Sequence, residues 1–265
     1  MRIQRNEFID VAGRRRSYVH VAPSSPRPDA PLLIALHGSS QQGRTMQRFS
    51  GRTLDALAER IGADLVYLNG HGRAWNDARL QKLSRAQKDG VDDVGFVSAV
   101  VGRFHRPTIA VGYSNGGQLL HRILREQPTL LAGATIIAAG VPVDDDFMLV
   151  GVEPGAVPVL LVHGTADPIM PFDGGSPKML GRATRGMVKS AEATARGYAP
   201  TGEPEIRRDG DVERADWDGV RLLTQIGTGH VIPNRTTSPG PLVVGPSHHD
   251  IDMGEEIENF FGLTS

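Results

Sequence analysis

Apolar residues recur along this chain in two alternating rhythms. Short continuous or alternating runs predict strands, and stretches with apolar positions three and four apart predict helices. Leu32-Leu33-Ile34-Ala35-Leu36, stopped by His37-Gly38, has the unbroken apolar character of a central strand covered on both faces. The runs at 65–68, 108–111, 134–138, 157–162 and 220–226 repeat that character. Tyr18-Val19-His20-Val21 reads as an early strand, and Phe8-Ile9-Asp10-Val11 as its pairing partner. Between the runs lie helical patterns. Residues 53–61 place Leu54, Leu57, Ala58 and Ile61 on one face, and 93–104 do the same with Val94, Val97, Val100 and Val101. Helices are also expected over 115–126, stopped before Pro128, over 187–198, and over 253–261 with Ile257, Phe260 and Phe261 facing inward. Strands alternating with helices predict an α/β fold of one domain over 1–265, with a mostly parallel central sheet and helices on both faces. The polar stretches 200–219 and 236–249 read as surface excursions.

Composition narrows the function classes. Formal net charge is -1 over 265 residues, so the whole molecule offers no electrostatic reason to bind nucleic acid or an anionic membrane. Arginine is scattered, and its one short cluster, Arg14-Arg15-Arg16, reads as a solvated turn. The chain has no cysteine, which excludes disulfides, thiolate catalysis and Cys-ligated zinc. No apolar run approaches the roughly 18 residues of a transmembrane helix. The N-terminal stretch lacks a signal-peptide apolar region, so the expected location is cytoplasmic. The expected partner is a small molecule.

Candidate chemistry begins at Gly112-Tyr113-Ser114-Asn115-Gly116, a match to G-x-S-x-G. The pattern alone is weak, since a chain of this composition supplies about 0.2 matches by chance. Context strengthens it. An apolar strand runs directly into the motif and a helical pattern leaves it, which is the strand–turn–helix of a nucleophile elbow. So sharp a turn forces the serine into an unfavourable backbone conformation, and glycines two residues before and after remove atoms that would collide. Ser114 is therefore the expected nucleophile.

A serine hydroxyl needs a base, and the base needs an orienting acid. In this fold the chain order is Ser, then Asp or Glu, then His. Asp167 follows the run VPVLLVHG in a loop at the C-terminal edge of the sheet, where ligands of open α/β sheets bind. It is the expected acid, with Asp173 a weaker rival. His230 follows the last strand pattern within Ile226-Gly227-Thr228-Gly229-His230 and is the expected base. His248 and His249 lie in a polar excursion. Two N–H donors should receive the oxyanion. One belongs to Asn115, the residue after the nucleophile. The other comes from the loop after the 32–36 strand, where Ser39 is the first choice and Ser40 the neighbouring alternative, with Gly38 permitting close approach.

The segments LHGSSQQG, GYSNGG, HGTADPIMPF, TGHVIP and IDMGEEIENFF, with RAWN and VDDVGF between the first two, resemble the polyhydroxybutyrate depolymerase and feruloyl/acetylxylan esterase group of α/β-hydrolases. The resemblance runs from Leu33 to Phe261, with the motifs in family order. It implies a catalytic triad of Ser114, Asp167 and His230, with no metal or organic cofactor. It also implies substrate-contacting roles around Ser40, Trp75 and Ile232, although a tryptophan such as Trp75 serves equally well as a core residue. Polymer-degrading members commonly carry an aromatic where this chain has Ile232. Asp92 and Asp93 read as caps of the helix that follows.

The implied activity is hydrolysis of small soluble carboxylic esters, of feruloyl, acetyl or hydroxyalkanoate type. An acyltransferase or a peptidase could use the same triad, and a hydrolase fold can also serve as a non-catalytic binding protein.

Overall fold

The computed structural model describes residues 3–179, 182–183 and 186–263. In chain order the elements are β1 (Ile3–Val11), β2 (Arg14–Ala22), β3 (Leu32–Leu36), α1 (Gly43–Phe49), α2 (Thr53–Ile61), β4 (Leu65–Leu68), α3 (Arg85–Lys88), α4 (Asp93–Phe104), β5 (Thr108–Tyr113) and α5 (Asn115–Glu126). They continue with β6 (Gly133–Ile137), β7 (Val159–Gly164), β8 (Lys178–Met179), β9 (Arg182–Ala183), α6 (Ala191–Arg196), β10 (Glu205–Asp209), β11 (Val212–Trp217), β12 (Val220–Gln225), α7 (Pro241–Val244) and α8 (Met253–Phe261). Among the described residues no helix is long and apolar enough to cross a membrane.

The main sheet has the strand order β1-β2-β4-β3-β5-β6-β7-β12-β11-β10. Its centre, from β4 through β12, is parallel, while β1 and β2 on one side and β10 and β11 on the other pair antiparallel. This is the mostly parallel, helix-covered sheet that the alternating pattern predicts. The continuous apolar run of β3 also finds its reason. Successive side chains point to opposite faces. Leu32, Ile34 and Leu36 join one core with Val97 of α4, Leu120 and Ile123 of α5 and Ala195 of α6. Leu33 and Ala35 join the other with Met46 of α1, Leu54 and Leu57 of α2 and Ile257 of α8.

Five expectations change. The stretch 200–219 is not an irregular excursion: it holds β10 and β11, which extend the sheet through a turn at Gly210 with φ +56°. Every residue of β10 is exposed, so the strand has no apolar alternation to reveal it. The excursion 236–249 contains the short helix α7. The helix expected over 187–198 forms only as α6, because Ser190 caps its start by accepting from the Ala193 N–H at 3.1 Å. Val188 is instead tied to Gly175 by reciprocal backbone hydrogen bonds of 2.9 Å.

Arg14 to Arg16 is likewise not a solvated turn. The turn falls at Ala12 and Gly13, both at positive φ, and the arginines begin β2. Arg16 points inward, 2.6 Å from the Asp93 carboxylate and over the Phe96 ring, and both charged side chains are almost fully buried. Asp92 does cap α4, accepting from the Gly95 N–H at 2.7 Å, but Asp93 is the buried ion partner and also accepts from the Asn76 N–H at 2.7 Å. Removing one side of such a pair strands a charge and costs about 3–5 kcal/mol.

Candidate active site

Ser114 sits between β5 and α5 with φ 52° and ψ -117°, outside the regions an L-residue ordinarily occupies. The flanking glycines explain how the chain tolerates this. A Cβ on Gly112 would stand 2.6 Å from the Gly116 carbonyl oxygen. One on Gly116 would stand 2.1 Å from the Leu36 carbonyl oxygen at the end of β3. With neither atom present, α5 rests directly against the sheet and Ser114 is lifted to the C-terminal edge of the parallel strands, half-buried and reachable.

The loops after β7 and β12 bring the other two expected residues to it. His230 Nε2 lies 2.9 Å from Ser114 Oγ, and His230 Nδ1 lies 2.6 Å from Asp167 Oδ2. With the proton on Nδ1, the ring donates to the carboxylate and accepts from the serine hydroxyl. Asp167 is held in turn: its Oδ1 accepts from the backbone N–H groups of Ile169 and Met170, both at 2.8 Å. Both His230 and Asp167 are buried, which strengthens their interaction relative to water. Asp173, the rival acid, is exposed. His249 bonds away from the site, to the Asn234 carbonyl and to Ser238 Oγ.

Two neighbours that sequence reasoning missed support this trio. Tyr113 donates its hydroxyl to the His230 carbonyl at 2.8 Å, with the two rings 5.1 Å apart. Burial, reinforced by the Asp167 charge, holds that hydroxyl well above the ordinary tyrosine range, so it stays a donor. His163 bonds through Nε2 to the Met170 carbonyl at 2.9 Å and so braces the loop that carries Asp167. Burial lowers the His163 imidazole below its ordinary value, against the opposing pull of Asp167 and the Met170 carbonyl. The signal for Tyr113 lay inside the elbow motif at a position the pattern leaves free. His163 lay at the end of an apolar run, where a lone histidine has no distinguishing spacing.

The loop after β3 passes against the nucleophile. A Cβ on Gly38 would lie 3.3 Å from Ser114 Cβ and 3.0 Å from the Tyr113 ring, so a larger residue would crowd the approach. Among the described residues nothing accepts from the backbone N–H of Ser39 or of Asn115. Ser40 differs: its N–H donates to the Arg73 carbonyl at 2.8 Å, and its φ of 63° turns the chain away. Ser40 remains exposed. His37, just before, is a fully buried neutral link. Its Nδ1 donates to the Gly38 carbonyl at 2.7 Å and its Nε2 accepts from the Gly70 N–H at 2.9 Å. Burial drives its pKa down to about 4, with the Gly38 carbonyl opposing and Arg73 assisting.

Trp75 and Ile232, the other two expected substrate contacts, lie inside the protein. Both are 0% exposed and belong to the two apolar cores. Trp75 is held from behind, its Nε1 donating to the His37 carbonyl and its backbone N–H to Asn115 Oδ1, both at 2.7 Å. The apolar side chain at 232 belongs to the same core as Tyr113. Among the described residues no group of three or more His, Asp or Glu side chains is arranged to hold a metal ion.

Comparison with known proteins adds a functional class to this geometry. No protein-family model matches the chain. It is 30% identical over 286 aligned residues to "Putative esterase NocK" of Nocardia uniformis subsp. tsuyamanensis, covering 95% of the chain and 80% of that protein. In structure it is similar to an acetyl xylan esterase from Aspergillus awamori, with a TM-score of 0.65 at 14% identity and 100% of both chains covered. It is also similar to a "predicted CIB-like hydrolase" from Thermoplasma acidophilum, with a TM-score of 0.54 at 17% identity and coverage of 98% and 97%. At those identities the two structures speak for the fold alone.

Proposed function

From the premise that this chain belongs to the esterase group of the α/β-hydrolases and is a carboxylic ester hydrolase, we propose that it acts by two-step acyl transfer through Ser114. The observation that carries the reading is the hydrogen-bonded chain Asp167–His230–Ser114, 2.6 and 2.9 Å link by link. Ser114 Oγ attacks the ester carbonyl carbon as His230 Nε2 takes its proton. Asp167 holds the Nδ1–H tautomer and stabilises the imidazolium. The carbonyl oxygen, now negative, is received by the unengaged N–H groups of Ser39 and Asn115. Collapse of the tetrahedral intermediate expels the alkoxide, which takes its proton from His230. Water then enters, gives a proton to the same nitrogen and attacks the acyl-enzyme; the Oγ–acyl bond breaks to release the acid, and His230 returns the proton to Ser114 Oγ. Every proton transfer is served by the chain's own residues.

The substrate proposed is a small-molecule ester. Feruloyl, acetyl and hydroxyalkanoate esters are the classes that the motif resemblance and the acetyl xylan esterase neighbour suggest. The N–H of Ser39 is preferred over that of Ser40 as donor because the latter is engaged by Arg73.

The test is hydrolysis of p-nitrophenyl esters of increasing chain length, and of feruloyl, acetyl and hydroxybutyrate esters, by wild type and Ser114→Ala. Hydrolysis should fall to background in the variant. Equal rates in both would overturn the mechanism, and the panel ranks the acyl classes.

A further inference from the structure

The two N–H groups proposed to receive the oxyanion come from chain segments far apart in sequence. Ser39 follows β3, and Asn115 opens α5. Their spacing must suit one oxygen atom, and a misplacement of about 1 Å can cost a hundredfold in rate. The loop after β4 reaches both segments. Trp75 Nε1 donates to the His37 carbonyl at 2.7 Å, two residues before Ser39. The Trp75 backbone N–H donates to Asn115 Oδ1 at 2.7 Å, and Asn115 Nδ2 donates to Asp77 Oδ2 at 2.6 Å. Asn115 thus meets one loop with an acceptor and a donor at once, so its amide cannot rotate without breaking both bonds. Gly70 and Arg73 add two further ties, to His37 Nε2 at 2.9 Å and to the Ser40 N–H at 2.8 Å.

The loop is itself firmly anchored. Asn76 donates from its backbone to Asp93 and from its side chain to the Val91 carbonyl, and its own carbonyl accepts from Arg122. Asp77 is completely buried yet meets five donors: Asn115 Nδ2, three nitrogens of Arg79 and Gln87 Nε2. Arg79 grips it as a fork, at 2.9 and 2.6 Å, and so neutralises the charge beside the reaction centre. A buried carboxylate whose every bond is made is rigid, because any lost bond leaves an unpaired polar group in a low-dielectric interior. Packing alone does not call for such a group.

We propose that Trp75 and Asp77 are positioning residues for ester hydrolysis, clamping the segments that carry Ser39 and Asn115 at the separation the oxyanion requires. This inference rests on the serine-esterase reading above. It assigns Trp75 a role behind the site in place of the substrate contact first expected of it. Neither residue touches substrate; both act through the backbone they hold.

The experiment compares wild type, Asp77→Asn, Trp75→Phe, Asn115→Ala and the Asp77→Asn/Asn115→Ala double variant, with Ser114→Ala as control. The probe is trifluoroacetophenone. Ser114 Oγ adds to its ketone carbon, the serine proton passes to His230, and the ketone oxygen becomes an oxyanion in the proposed hole. The second readout is KM for p-nitrophenyl acetate, and near-UV circular dichroism establishes that each variant is folded. Inhibitor affinity should weaken on the order of ten- to a hundredfold in Asp77→Asn and Trp75→Phe, while KM stays within about threefold. The double variant should be no weaker than Asn115→Ala, since that change already removes the link to Asp77 along with the one to Trp75. If Asp77→Asn does not fold, Trp75→Phe decides, because phenylalanine keeps an aromatic ring in the core while removing the Nε1 donor together with part of the indole. Unchanged inhibitor affinity in the folded variants, equal losses in KM, or additive losses in the double variant would overturn the positioning role. A wild type that forms no adduct, or a Ser114→Ala variant that binds the probe as tightly, would instead overturn the serine-esterase reading itself.

Discussion

Gly116 and Leu36 lie so close that a methyl group on the glycine would stand 2.1 Å from the leucine's carbonyl oxygen. Helix α5 therefore rests on the end of β3 with no side chain between them, and this contact seats the helix start beside Ser114. Backbone on both sides leaves nothing flexible to yield.

Gly116→Ala reverses the usual helix rule. In an unconstrained helix interior, alanine for glycine stabilises by about 1 kcal/mol. Here the added carbon must push α5 off the sheet, and overpacking of that kind costs roughly 1–3 kcal/mol. Urea unfolding should show lower stability, and p-nitrophenyl acetate hydrolysis should fall steeply in the protein that remains folded. A stabilised, fully active Gly116→Ala protein would contradict the close approach.

Asp167→Asn separates geometry from chemistry. Asparagine keeps the size of the side chain and can still accept from the Ile169 and Met170 N–H groups, as Asp167 Oδ1 does. Its amide then faces His230 Nδ1 as a donor, which moves the imidazole proton to Nε2 and leaves no base for Ser114. Hydrolysis should drop on the order of 10⁴-fold with little change in KM. A loss of less than about tenfold would mean that Asp167 does not set the tautomer.

Two buried histidines predict how stability responds to acid. Burial lowers His37 to about 4, and lowers His121 to about 3 with help from the nearby Arg125 and against the Ala139 carbonyl. His121 is held between Tyr198 Oη at 2.6 Å and the Ala139 carbonyl at 3.1 Å. An unfolded chain protonates both rings near pH 6.5, while the native protein resists until pH 4 or below. The unfolded state therefore binds more protons throughout that window. Stability should be full above about pH 6.5 and fall as the pH drops toward 4, by roughly 3 kcal/mol per histidine at most. Urea unfolding at intervals from pH 7.5 to 4 checks this. The slope should flatten in His121→Gln, and an unchanged slope would remove His121 as its source.

Much of the site was legible before any coordinates. Ser114, Asp167 and His230 stand in the order the fold demands, each just past an apolar strand, and the structure brings these three together. The apolar periods likewise revealed the central parallel strands and the helices that cover them. What stayed hidden lacked a local signature. Strand β10 is exposed along its whole length and gains its place only by pairing with β11. Arg16 looked like part of a charged turn because nothing near it in sequence reports Asp93 on the opposite element. The buried Asp77 looked like any loop aspartate.

The sequence by itself determined the strand–turn–helix around Ser114, because backbone sterics at Gly112 and Gly116 and the apolar periods on either side are local matters. It also determined the order of the acid and base along the chain. Only the tertiary structure decided which groups meet. It buried Trp75 and Ile232, engaged the Ser40 N–H with Arg73 while leaving that of Ser39 unengaged among the described residues, and joined Asp77 to Asn115. Such pairings depend on loops from different strands converging at one sheet edge. A hydrogen bond between them is set by that convergence, and no residue pattern within either loop encodes its partner.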